Sequence, residues 1–319
     1  MMQRQQIQLL FALVLVLNLS PAIAAQKHAE NGDRAKEGSP LAVVWHDPGE
    51  VSSLNLLYGA GGKEHAPASN GKFTFVKEDM NGTSAKFDVK DENEVEWKVK
   101  LGEETQAETA ASRLLWAAGY FVDEDYYLAD FKVSGLPKLH RGQQWVSADG
   151  MVHGARLERR IVGVKKLGNW DWFNNQCGPA MQWNGLEVMM ALLNNWDLKT
   201  SNNSVEEIDG EQRCVVTDLG ATFGKTGGVI GRSKSEPKDY AHSKFIEKVT
   251  SGYVGFVGMG KENVAKQIPL PDAKWLGQRL APLSADQIHD VFRAAGYTPE
   301  EVEEYTEVVQ NRIAQLNAL

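Results

Sequence analysis

Between residues 72 and 102 the chain reads KFTFVKEDMNGTSAKFDVKDENEVEWKVKLG, and apolar and polar residues alternate through it with a period of two. Such alternation fits a strand with one face buried and cannot be housed in a helix, whose faces repeat every 3.6 residues. The interruptions MNGTS and DENE are turn chemistry, so an antiparallel meander is expected here. The period then changes. Glu104 to Ala118 reads as a helix closed by Gly119, and YYLADFKV and MVHGARLERRIVGV read as further strands. In NGLEVMMALLNNW, Leu186, Met189, Met190 and Leu193 recur at helical spacing and mark a buried helix. SADQ (Ser284 to Gln287) and TPEE (Thr298 to Glu301) are capping boxes, the second with proline at its first helical position. A strand-rich front followed by a helix-rich back predicts an α+β chain in two lobes. The expected bounds are 71–160 for the N-lobe and 161–319 for the C-lobe.

The ends carry a separate message. Residues 1–24 hold one arginine, an apolar run from Ile7 to Leu19, and the small-residue pattern Ala22-Ile23-Ala24, which reads as a cleavable signal peptide. The run is too short to span a bilayer comfortably, and no later stretch is long and apolar enough, so no transmembrane anchor is expected in the mature chain. Residues 25–70, rich in Gly, Ser, Ala and charge around one apolar segment, LAVVW, read as a flexible leader. The protein is expected to be exported, periplasmic or secreted. A net charge of −8 with no basic block argues against a nucleic-acid partner. The two cysteines, Cys177 and Cys214, either pair or remain separate buried thiols, because spacing alone does not set geometry. The seven histidines are scattered without paired zinc-ligand spacing.

The candidate chemistry lies in LLNNWDLKTSNNS (192–204) and CVVTDLGATFG (214–224), where charged and amide side chains follow directly on core elements. Asp197 and Asn202 are five apart in D-L-K-T-S-N, with Lys199 between them, and Asp218-Leu219-Gly220 follows an apolar strand. In the front half, Lys100 ends an alternating strand. Glu108 shares a helix face with Ala111 and Leu115, so its carboxylate is directed inward and needs a cation, for which Lys100 is the obvious choice. Phosphoryl transfer needs such parts: a cation on the phosphates, an anion to hold it, oxygen ligands for a divalent metal, and a carboxylate at the acceptor hydroxyl.

D-L-x-x-x-N followed by D-L-G resembles the catalytic loop and metal-binding triplet of protein kinases, with leucine in place of phenylalanine. K-L-G-E-E-T-Q-A-E resembles the K-x-G-D-D-x-R-Q-D/E segment of phosphoinositide-kinase-like enzymes. Over residues 70 to 260 the chain therefore resembles the atypical side of the protein-kinase-like superfamily, which includes phosphoinositide-kinase-like, bacterial toxin-kinase-like and secretory-pathway kinases. The resemblance implies a two-lobed fold that binds ATP with Mg²⁺ or Mn²⁺ and an acceptor with a hydroxyl on a protein, sugar or lipid head group. By the same resemblance Lys100 contacts the phosphates and Glu108 holds it. Asp197 orients or deprotonates the acceptor, Lys199 contacts the transferred phosphate, and Asn202 and Asp218 bind the metal. Gly82, Thr83 and Ser84, in MNGTSAK, stand in for the phosphate-covering loop, with one glycine where protein kinases have three. Lys98 competes with Lys100 for its role, and Asn203 with Asn202. Asn195 and Trp196 replace the histidine and arginine before the catalytic aspartate, so control by a phosphorylated loop docking there is not expected.

Blander readings stand beside these. WDLKTSNN also reads as a helix end and polar turn, and Lys100 with Glu108 as a surface ion pair. A kinase-like scaffold without transfer activity, acting as a binding module, and a secreted envelope or adhesion protein are the alternatives in function. GATFGKT (Gly220 to Thr226) falls one residue short of a P-loop and is set aside. NWDWFNN is read as packing aromatics in preference to a sugar-stacking platform.

Overall fold

The structure is a computed structural model and describes residues 42–226, 231–258 and 263–319. The expected signal peptide, and the leader as far as residue 41, lie outside the described residues. In chain order the front half contains β1 (Phe73–Asp79), β2 (Lys86–Lys90), β3 (Glu96–Leu101), α1 (Glu104–Ala117), β4 (Phe121–Val122), β5 (Asp125–Ser134) and β6 (Met151–Arg159). The meander does form, and it closes. Its strands make a barrel in the order β1-β2-β3-β6-β5, sealed where Phe73 and Thr74 pair in parallel with Val133 and Ser134. Alternation dictates what fills it: Phe87, Val89, Trp97, Val99, Ala155 and Leu157 point inward, while Lys86, Asp88, Lys98 and Lys100 take the outer face.

The back half contains β7 (Lys165–Gly168), α2 (Ala180–Leu192), β8 (Asn203–Ile208), β9 (Glu211–Val216), α3 (Pro237–His242), β10 (Ile246–Val249), β11 (Tyr253–Phe256), β12 (Ile268–Pro269), α4 (Leu270–Leu280), α5 (Ala285–Ala294) and α6 (Pro299–Asn317). Both capping boxes form, Ser284 with Gln287 and Thr298 with Glu301. The fold is thus α+β in two lobes, strand-rich then helical. The junction is made by β4, which leaves the front half to pair in parallel with β9 in the sheet β4-β9-β8-β7. α1 also belongs to both halves, since Ala107, Ala110, Leu114 and Leu115 join the same core as Leu186, Met189 and Phe292.

The leader expectation needs correcting from residue 42 onward. Ala42, Val44, Val51 and Leu56 are buried in the helical core. Val43 exchanges backbone hydrogen bonds with Gln212 and Cys214, both at 2.8 Å, and the Trp45 indole donates to the Ala118 carbonyl at 2.7 Å. Tyr126 Oη donates to the Gly62 carbonyl at 2.9 Å. A few well-spaced apolar residues anchor a stretch whose composition is otherwise that of a linker, because their burial offsets the entropy of ordering it.

Cys177 and Cys214 form a disulfide, closing a loop of 37 residues between the segment before α2 and strand β9. Trp170, Trp172 and Trp183 pack on one another with ring centroids 4.7 to 6.3 Å apart, so the two tryptophans of NWDWFNN serve packing. Replacing both cysteines by serine should cost about 2–4 kcal/mol in non-reducing urea unfolding, and reductant should abolish the difference from wild type. α2 also carries Glu187, whose carboxyl burial pushes up to about 7 against an opposing hydrogen bond from the Trp183 indole. A folded pKa above the unfolded value means that this contribution to stability is full below about 4.5 and is lost as pH rises through about 7. Glu187→Gln should flatten that decline in stability measured by denaturant titration across this range.

Candidate functional site

Strand alternation turns Lys100 out of the barrel, and the helix that follows two residues later brings carboxylates over it. Lys100 Nζ lies 2.8 Å from Glu108 Oε2, 3.2 Å from Glu104 Oε2 and 2.6 Å from Asp218 Oδ1. Glu104 and Glu108, four apart on α1, share one face. The pair is buried: the side chains of Lys100 and Glu108 are 5% and 3% exposed, whereas Asp218 is 44% exposed. Lys98, one step down the same face, pairs instead with Glu158 at 2.9 Å.

Burial disfavours the Lys100 ammonium, but Glu108, Asp218 and Glu104 outweigh it and raise its pKa above the usual lysine value. Burial drives Glu108 upward, opposed by Arg156 and Lys100. Burial also drives Asp218 upward, yet Lys100 prevails and holds it below the usual carboxylate range. Arg156 was not singled out by the sequence. It stands opposite Lys100 in the β3–β6 register and contacts Glu108 at 3.4 Å, Asp125 at 2.9 Å, Asp123 at 3.0 Å and Glu158 at 3.2 Å. The cluster RLERR (156–160) carried the only hint, and which arginine faces Lys100 depends on register.

α2 ends with Asn194 in the left-handed region at φ 53°, a conformation asparagine tolerates as a helix terminator. Arg312, buried on α6, donates to the carbonyls of Ala191 and Leu192 and to Asn194 Oδ1 at 2.8 to 3.2 Å, and so caps the C-terminal end of α2. The loop beyond is fastened to the segment after the D-L-G triplet: Trp196 N donates to the Ala221 carbonyl at 3.3 Å and Phe223 N to that of Leu193 at 2.9 Å. Asp197 accepts from Lys199 Nζ at 2.7 Å, and its carbonyl accepts from Asn202 Nδ2 at 3.0 Å. The Asn202 carbonyl in turn accepts from Thr217 N and Oγ1 at 3.0 and 2.9 Å, one residue before Asp218. Asn203 is buried on the side of Trp170 and Trp172. A continuous line of contacts therefore runs Glu108–Lys100–Asp218 and, through Thr217, to Asn202 and Asp197. Asp218 itself has φ 51°, and Gly220 leaves space for Glu104, whose Cβ would lie 2.5 Å from any Cβ at that position.

Thr83 and Ser84 line a 310 Å³ pocket with Glu103, Glu104 and Lys234, whereas Gly82 is not part of it. The Gly82 and Asp79 carbonyls accept from the Arg141 guanidinium at 2.6 and 2.7 Å, which pins the β1–β2 turn. Lys234 reaches Glu104 at 2.8 Å and Lys225 reaches Asp239 at 3.4 Å, so two of the loop cations after the triplet are already paired. A larger cavity of 610 Å³ lies between the halves beyond Glu158. Among the described residues no group of three or more His, Cys, Asp or Glu side chains could hold a metal by itself. The oxygen set of Asp218 and Asn202 suits a hard cation that completes its shell with phosphate and water, as Mg²⁺ does. Elsewhere, on the exposed barrel wall, Ser147 Oγ bonds His153 Nε2 at 2.7 Å and His153 Nδ1 bonds Asp130 Oδ1 at 2.6 Å. The Ser147 N–H is taken by the Met151 carbonyl, which removes it as an oxyanion donor.

No family model and no curated protein matches the chain. Solved structures similar to it include the Helicobacter pylori proinflammatory kinase CtkA, with a TM-score of 0.48 and 11% identity over 77% of this chain and 96% of that one. A Golgi casein kinase is similar with a TM-score of 0.43 and 10% identity over 87% and 77% of the two chains. The Golgi casein kinase with Mn and ADP bound gives 0.41 and 8% over 79% and 72%. The fold is α+β in two lobes: a strand barrel and one helix hold the Lys100–Glu108 pair, and a helical half holds Asp197, Asn202 and Asp218.

Lys100→Met should leave Glu108 buried with one of its two cations gone and cost about 3–5 kcal/mol in urea unfolding. Glu104→Gln, where the carboxylate is 27% exposed, should cost at most about 1 kcal/mol in the same measurement.

Proposed function

We propose that the protein is a metal- and nucleotide-dependent phosphotransferase that phosphorylates a hydroxyl on a protein, sugar or lipid head group. The observation that carries this reading is the Lys100 ammonium held between buried Glu108 and exposed Asp218, with Asn202 and Asp197 linked to the same point. In this reading Lys100 binds the phosphates and Glu108 keeps its charge and direction. Asn202 and Asp218 hold Mg²⁺ or Mn²⁺, Lys199 faces the transferred group, and Thr83 and Ser84 lie against the phosphates. Asp197 orients the acceptor hydroxyl and takes its proton. The cation, when bound, supplies charge neutralisation at the phosphate oxygens.

We further propose that the protein works after export, in the periplasm or outside the cell. Support comes from the signal-like first 24 residues and from the Cys177–Cys214 disulfide, since such bonds persist in oxidising compartments. No helix among the described residues is long and apolar enough to cross a membrane. A second reading, a binding module without transfer, is favoured by one observation: Lys100 and Asp197 each already hold a partner within the chain, Asp218 and Lys199.

The two readings separate in a thermal-shift experiment with MgATP and MnATP. A nucleotide at about 100 times its Kd should add roughly 2.7 kcal/mol of stability, and Asp218→Ala should abolish the metal-dependent part. Asp197→Ala should keep that shift but lower phosphoryl transfer by about 10²–10⁴-fold. Transfer at the wild-type rate in Asp197→Ala would exclude its role, and a shift without any transfer would leave the binding module.

A further inference from the structure

The residues that share the Lys100 face of the barrel are set by register. Lys86 and Arg156 stand opposite Lys100, and Asp88 and Glu158 stand opposite Lys98. Their neighbours Phe87, Val99, Ala155 and Leu157 are all turned into the barrel core. The surface around the phosphate-binding lysine is therefore charged at every one of these positions. Those charges also satisfy one another: Lys98 lies 2.9 Å from Glu158, Arg156 3.2 Å from Glu158, and Arg160 3.7 Å from both Asp88 and Glu158. Burial pushes the Glu158 carboxyl up, but Arg156 and Lys98 overcome this and bring it to about 2, so the lattice stays ionised.

A planar base held in a cleft is gripped by apolar faces on which it stacks. Laid on this surface it would separate paired charges and give them nothing in exchange. The β8–β9 positions in phase with Asn202 offer little more. Ser204 donates to Glu206 at 2.7 Å, Glu206 stands opposite Arg213, and Val215 is the apolar member. The 610 Å³ cavity does contain apolar side chains, but it opens beyond the Glu158 wall, and neither Lys100 nor Asp218 lines it.

We propose that the donor at this site is recognised through its metal-bound phosphates with little contribution from a base, so that a short inorganic polyphosphate serves as well as a nucleotide. This rests on the phosphotransferase reading above. In the transfer, the acceptor oxygen bonds to the terminal phosphorus of tripolyphosphate as its proton passes to Asp197. The bond from that phosphorus to the bridging oxygen breaks, and diphosphate leaves with the electron pair.

The test measures binding to the full chain by thermal shift with Mg²⁺ in excess, using ATP, inorganic tripolyphosphate and adenosine as probes, each repeated with Asp218→Ala. The expected result is a tripolyphosphate Kd within about threefold of that for ATP, no shift with adenosine, and loss of both shifts in the variant. ATP binding about thirtyfold tighter than tripolyphosphate would overturn the inference while leaving the phosphotransferase reading intact. A tripolyphosphate shift that needs no metal, or that survives in Asp218→Ala, would also overturn it as unspecific polyanion binding. Failure of both phosphate ligands on folded protein would remove the reading and the inference together.

Discussion

An ammonium group buried to 5% exposure cannot stay charged without anions, and the position of Lys100 therefore governs everything packed around it. Its three carboxylate partners come from two different parts of the chain, Glu104 and Glu108 from α1 and Asp218 from beyond β9. The requirement ties the barrel, the helix and the triplet into one arrangement. Rotating α1 by a single residue would take Glu108 off the lysine and expose its apolar neighbours to the polar side. Arg156 extends the constraint, because its contacts with Glu108 and Asp125 fasten α1 and β5 to the same strand face.

A second buried cation sets the other side of the site. Arg312 is 2% exposed and faces carbonyl oxygens of Ala191, Leu192, Tyr240 and Ser243 and the Asn194 side chain, with its guanidinium 4.1 Å from the Tyr240 ring centroid. Two of its partners, the Ala191 and Leu192 carbonyls, belong to the last turn of α2, so its charge meets the negative end of that helix. The last helix thereby determines where the Asp197 loop starts. Without such an anchor, a polar loop with few apolar contacts would sample many positions.

What could be read in the sequence was local. The β1 to β3 alternation, the two capping boxes, and Lys100 with Glu108 eight positions apart across one strand-to-helix turn all depend on neighbouring residues. Arg156 and Glu104 became visible only with register and helix phase together, and Arg312 sits in an amphipathic helix where an arginine ordinarily faces solvent. Residues 42–70 misled because glycine, alanine and charge dominate their composition while four apolar side chains decide their packing. The disulfide was undecided because a separation of 37 residues says nothing about a Cα–Cα distance of 6.0 Å.

The three carboxylates on Lys100 are not equivalent, and the difference bears on how such a site could accept a ligand. Glu108 is 3% exposed and has a cation on each oxygen, so moving it would strand a buried charge. Glu104 is 27% exposed but is also held by Lys234 and packed against Gly220. Asp218 is 44% exposed, rests on Lys100 through Oδ1, and sits on a left-handed backbone next to the Thr217–Asn202 link. Solvent already screens its charge in part, so exchanging its partner costs least. The burial gradient thus makes Glu108 the fixed support of the lysine and Asp218 the exchangeable one, which is the division of labour that the proposed phosphotransferase reading asks of Lys100 and Asp218.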